Sequence, residues 1–167
     1  IPYKEDAEGT IVNDEYFGKI PADRLTKEEG IIYFKIDGKY RSKLGLPASR
    51  ATSLCGSYDS SKGVLTILWC SLPETPSAYV NGQWGPQEDP FAGDVINSYN
   101  DGPVEAGSIM GPFYEIETSS PGAELVPGAS LVHTQKVIHI QGEDGQLAPI
   151  VQKLFGADLN VIKTKFQ

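Results

Sequence analysis

The stretch from Ala51 to Ser71, ATSLCGSYDSSKGVLTILWCS, decides how this chain folds. Two β-prone runs flank the turn-like SSKG, which is the pattern of an antiparallel hairpin. The second run, Val64 to Cys70, is nearly continuous in apolar residues. That fits a strand buried on both faces and makes Trp69 a core residue rather than a ligand platform. The hairpin also brings Cys55 and Cys70 within a couple of positions of each other. A disulfide between neighbouring strands meets demanding geometry, so we expect free thiols acting as small apolar side chains. With no other Cys or His at ligand spacing, neither a zinc site nor any other metal site is expected.

Outward from the hairpin, the same texture continues. Ile31 to Ile36 (IIYFKI) is rich in β-branched and aromatic residues and stops at Asp37-Gly38, a tight-turn signal. The chain has 167 residues with Gly 18 and Pro 12, and these punctuate short β-like runs. The length supports one domain with a real core. We therefore expect an all-β fold, an antiparallel β-sandwich over residues 1–167 with one short C-terminal helix. That helix is read from Leu147, Ile150, Val151 and Leu154 at i, i+3, i+4, i+7, with Asp144 as cap and Gly156 past the end. Leu159 to Phe166 reads as a final strand. Pro21 to Gly30 reads as a short helical turn.

Charge narrows the function classes. The formal net charge is −8, and the 14 Lys and Arg are scattered. Phosphate backbones and anionic membranes require clustered cations, so nucleic acid is not an expected partner. No apolar run approaches the length of a membrane span. Nor is there a phosphate loop, HExxH, CxxC or GxSxG, and no cofactor is implied. The most basic segment, KYRSKLGLPASR, reads as a solvated loop or protected edge strand. Its functional alternative is that Arg41 or Lys43 donates to a polar ligand.

Two regions remain as candidate chemistry. Along Phe113-Tyr114-Glu115-Ile116-Glu117 the two-residue period puts Glu115 and Glu117 on one strand face. Paired carboxylates in a cleft repel, raising one pKa and fitting it for general-base work. The second region is the loop-rich stretch Pro73 to Pro112. It interleaves Trp84, Phe91 and Tyr99 with Asp89, Asp94, Asn97, Asn100 and Asp101. Aromatic faces edged by amides and carboxylates suit sugar rings, although the same residue types also build turns. His133 and His139 lie six apart on one expected strand, roughly 20 Å from end to end, too far apart to share a metal.

The run Glu117-Thr118-Ser119-Ser120-Pro121, then Leu125, Pro127-Gly128 and a strand bearing His133, resembles the C-terminal portion of galactose mutarotase-like (aldose 1-epimerase) domains. The whole chain also resembles the C-terminal part of a bacterial family common in gut Bacteroidetes. The resemblance implies a β-supersandwich with Glu117 as the base that takes the anomeric proton. Around it would stand Glu115, His133, Arg41, Trp84, Asn97, Asn100 and Asp101, holding a saccharide. It also implies an exported protein, periplasmic or extracellular. Mutarotases use histidines upstream of this Glu, and no histidine precedes His133 here. Two expectations follow. Either a missing N-terminal half, or another copy of the chain, completes the domain and covers an open edge near the N-terminus, or the scaffold binds without epimerising. A non-catalytic structural or interaction domain is the alternative.

Overall fold

The computed structural model describes residues 1–75, 77–104 and 107–167. Its eight strands are β1 (Leu25–Glu28), β2 (Ile31–Phe34), β3 (Ser42–Pro47), β4 (Leu54–Asp59), β5 (Val64–Cys70), β6 (Asp94–Asn100), β7 (Tyr114–Thr118) and β8 (Gln135–Gln141). Two helices follow, α1 (Asp144–Phe155) and α2 (Leu159–Thr164). All strand pairings are antiparallel, and they build a β1-β2 hairpin, a β3-β6-β7 sheet and a β4-β5-β8 sheet.

The hairpin over 51–71 forms in the expected place, with Leu54 opposite Trp69 and Asp59 opposite Val64. β5 is covered on both faces. Leu68 on one face joins Leu44, Leu46, Val95 and Ile96 of the other three-stranded sheet in a shared core. Leu65 and Ile67 on the opposite face pack under Leu147, Val151 and Leu159 of the helices. Cys55, opposite Leu68, and Cys70 share the first face, and both are buried free thiols. Burial holds the Cys55 thiol up to about 12, so at neutral pH it is an apolar filler and not a nucleophile.

Several expectations change. Leu159–Thr164 is helical rather than a final strand, because Asp158 caps it by accepting from the Asn160 N–H at 2.7 Å. Pro21 to Gly30 gives only a turn, and its second half is strand β1, pinned residue by residue to β2. The N-cap of α1 is Glu143 rather than Asp144, with the Gln146 side chain accepting from the Glu143 N–H. Gly156 ends that helix in the left-handed region, φ 68°. The basic segment contains edge strand β3, but its side chains are mostly buried and Asn13 pairs with Gly45 along its outer side.

The largest difference lies inside 73–112, where Pro76, Glu105 and Ala106 are outside the described residues. This stretch contains β6, the central and wholly buried strand of its sheet. Its polar composition disguises it. Ser98 donates to the Glu115 carbonyl at 2.9 Å, and Asn100 accepts from Gly38 N–H and donates to the Tyr40 carbonyl, both at 2.8 Å. Exposed apolar side chains gather on the 125–138 segment and edge strand β8, with Val137 at 50% and Ile138 at 47% exposure. The segment around Ile1 is instead tied down by bridges of Pro2 to Ile31 and Tyr3 to Ala51.

The helix–sheet contact sets a first prediction. Leu147 is 1% exposed and Leu154 38%. Leu147→Ala is expected to cost about 2–5 kcal/mol in chemical denaturation, whereas Leu154→Ala stays within about 0.5 kcal/mol of the parent.

Candidate functional site

A break in register shapes the site. β3 and β6 run in step until Leu46/Pro47, where a bulge intervenes and Pro47 pairs with Asp94 instead of Val95. Proline offers no N–H to the ladder, so a bulge at this point is expected. As a result Val95 and Ile96 both enter the core, and Asp94 turns to the outer face, shared with Asn97 and Tyr99. There its carboxylate lies directly over Gly45, in space a Cβ would occupy only 1.9 Å from Oδ2.

Asp94 then anchors the N-terminal segment. Tyr16 donates its hydroxyl to Asp94 Oδ2 at 2.6 Å, and Asn13 Nδ2 approaches the same oxygen at 3.4 Å. Burial raises the Asp94 pKa, and these two hydrogen bonds only partly offset the rise. Burial and the Asp94 contact push the Tyr16 phenol up as well. The next residue, Phe17, packs edge-on against Tyr99 at 5.8 Å between ring centroids.

The resulting groove has a volume of about 340 Å³. Tyr16, Phe17 and Tyr99 form its aromatic wall, Arg41 just before β3 and Lys43 within it line another side, and Trp84 stands at its mouth. Trp84 is 85% exposed. Glu115 also lines the groove, and the alternation of β7 puts Glu117 on the same face, opposite Asn97 in the ladder. Burial raises the Glu115 pKa, reinforced by the charge and hydrogen bonding of the Glu117 carboxyl, while Lys43 opposes the shift. Two carboxyls that share a site in this way can hold and pass a proton between them.

The residues expected from sequence divide cleanly. Glu115, Arg41 and Trp84 line one concavity, and Glu117 and Asn97 share its face. His133 does not join them. It lies before β8, not on it, and its Nε2 meets Thr118 Oγ1 at 3.0 Å, on the β7 face opposite Glu117. His139 is likewise engaged, with Nδ1 at 2.9 Å from Thr66 Oγ1. Asn100 is fully occupied in bracing the Gly38–Tyr40 turn. Asp101 accepts from Tyr99 Oη and Gly111 N–H, both at 2.8 Å. Burial works against its charge, but these hydrogen bonds outweigh it and hold the carboxyl below its ordinary range. Asp101 therefore fixes the groove wall from behind. Among the described residues no cluster of three or more His, Cys, Asp or Glu could hold a metal, and no helix is long and apolar enough to cross a membrane.

Tyr16 and Phe17 were not among the residues expected from sequence, and Asp94, expected in a polar loop, is instead the buried anchor at the start of β6. Lys43, named beside Arg41 as a possible donor, lines the groove together with it. Tyr16 carried no signal, because its place depends on a contact 78 residues away.

A family model described as a family of unknown function (DUF6786) matches residues 1–166. The chain belongs to that family. No curated protein and no solved structure matches it.

Two predictions follow from the carboxyls. Gly45→Ala should displace Asp94, free Tyr16 and lower the melting temperature sharply. The raised Glu115 pKa means that the native state binds its proton more tightly than the unfolded chain. Its stabilising contribution is thus complete below the ordinary glutamate pKa and fades as pH rises through the native value. Glu115→Gln should therefore melt slightly higher than the parent at neutral pH and lose part of the parent's gain in stability as pH falls from neutral toward the ordinary glutamate range.

Proposed function

We propose that this chain recognises a saccharide in the groove beneath Trp84. The observation that carries the reading is a nearly bare indole at the mouth of a cavity that also presents one carboxyl, two phenols and two cations. A sugar ring has a C–H face for the indole and a rim of hydroxyls for the polar groups. In water an exposed tryptophan gains little by itself, but stacked on a ring it contributes area and orientation together.

Within this reading Glu117 is the group placed to take a proton from a sugar hydroxyl. Glu115, with its raised pKa, is the neighbour that can donate one. The resemblance of the Glu117–Pro121 run to mutarotase-like domains supports that assignment. Neither histidine lines the groove, and both are engaged elsewhere, with Thr118 and Thr66. We therefore favour recognition over turnover, in an exported carbohydrate-binding protein.

Calorimetric titration with gluco- and galacto-oligosaccharides tests the reading. Trp84→Ala should weaken binding about ten-fold. Glu117→Gln, nearly isosteric, should keep the melting temperature and also weaken binding, by roughly ten-fold or more through loss of a charged acceptor. Polarimetry of the parent chain should show no accelerated anomer interconversion. Undiminished binding in both variants would end the reading.

A further inference from the structure

Arg41 and Lys43 are the two cations that line the groove. The ion pairs among the described residues use Lys19, Arg24, Lys62, Lys163 and Lys165. Neither Arg41 nor Lys43 forms one. Each is held over an aromatic ring instead, Arg41 at 4.1 Å from the Phe17 centroid and Lys43 at 5.1 Å from that of Tyr16. Both are half-buried and line the groove.

A guanidinium held over a ring keeps its in-plane N–H donors at the edge; one of them engages the Tyr99 hydroxyl here, and the others remain for a ligand. The ring also fixes the side chain, so little rotamer entropy is lost when a ligand arrives. In a chain of net charge −8, long-range attraction does not bring an anion here. Two adjacent cations that form no ion pair among the described residues act locally, on a ligand already seated against Trp84. A neutral sugar gives them only hydroxyl oxygens. A carboxylate on the sugar ring gives a planar, two-oxygen acceptor that matches the guanidinium fork, with the Lys43 ammonium as a second partner.

We propose that the groove selects saccharides carrying a carboxylate, namely uronic acid residues, and that Arg41 and Lys43 determine this specificity. The proposal rests on the saccharide reading of the groove. Glu115 is the one carboxylate lining the groove beside them. Its raised pKa, from burial and then from Glu117, means that it opposes an anionic ligand less than an ordinary glutamate would.

The test uses matched pairs, a galacturonide and a glucuronide oligosaccharide, each beside its carboxyl-reduced neutral counterpart of equal length and linkage. At low ionic strength the acidic member should bind the parent chain roughly ten-fold tighter, and added salt should narrow the difference. Arg41→Gln and Lys43→Gln should each bring the ratio of the two affinities toward one. Arg41→Lys, which keeps the charge without the planar fork, should restore part of it. Melting temperatures equal to the parent's show that the variants fold. Equal binding of acidic and neutral members, or a ratio unmoved by both Gln variants, overturns the uronate proposal while leaving saccharide recognition standing if Trp84→Ala still weakens binding. If no member of either pair binds, both fall.

Discussion

The structure depends on keeping a polar strand dry. β6 is buried along its whole length, yet it carries Asp94, Asn97, Ser98 and Asn100. A buried polar group left without a partner costs on the order of 1–3 kcal/mol, so each of these must be met by some other part of the chain. Tyr16 and Asn13 meet Asp94, the β7 backbone meets Ser98, and the Gly38–Tyr40 turn meets Asn100. Much of what surrounds β6 is placed by that requirement. The N-terminal segment crosses the sheet because Asp94 needs donors, and in crossing it delivers Tyr16 and Phe17 to the groove.

The groove is thus a by-product of satisfying the core. Its carboxyl comes from β7, its cations from the start of β3 and the residue before it, its aromatic wall from β6 and the distant N-terminal segment, and its exposed indole from the loop before β6. No single stretch contains it. Three of its contributors are also fastened by something else: Asp101 holds Tyr99, Phe17 holds Arg41, and Tyr16 lies under Lys43. Side chains fixed in this way need little reorganisation on binding.

What could be read from sequence follows from where the information resides. The β4–β5 hairpin was legible because an unbroken apolar run beside a short turn admits few other solutions. The face shared by Glu115 and Glu117 was legible because strand alternation is local. β6 was not, because Asp94-Val95-Ile96-Asn97-Ser98-Tyr99-Asn100 shows turn-like polarity and its partners lie outside the window. α2 was misread because Leu159, Val161 and Ile162 are β-branched or apolar in a short run, while the Asp158 cap that decides the matter is a single side chain. The bulge that re-aims Asp94 becomes visible only once β3 and β6 are laid side by side.

Edge strand β8 has a bearing on how the protein behaves in bulk. Its outer backbone is unpaired among the described residues, and Val137 and Ile138 stand half-exposed beside it with Lys136 as the strand's one charge. Such an edge is a template for pairing with its own copies. The restraint on that pairing is colloidal: a net charge of −8 keeps molecules apart at neutral pH. The isoelectric point is near 4.7. Mild acid therefore removes the repulsion while leaving the edge in place, and makes the protein least soluble near its isoelectric point.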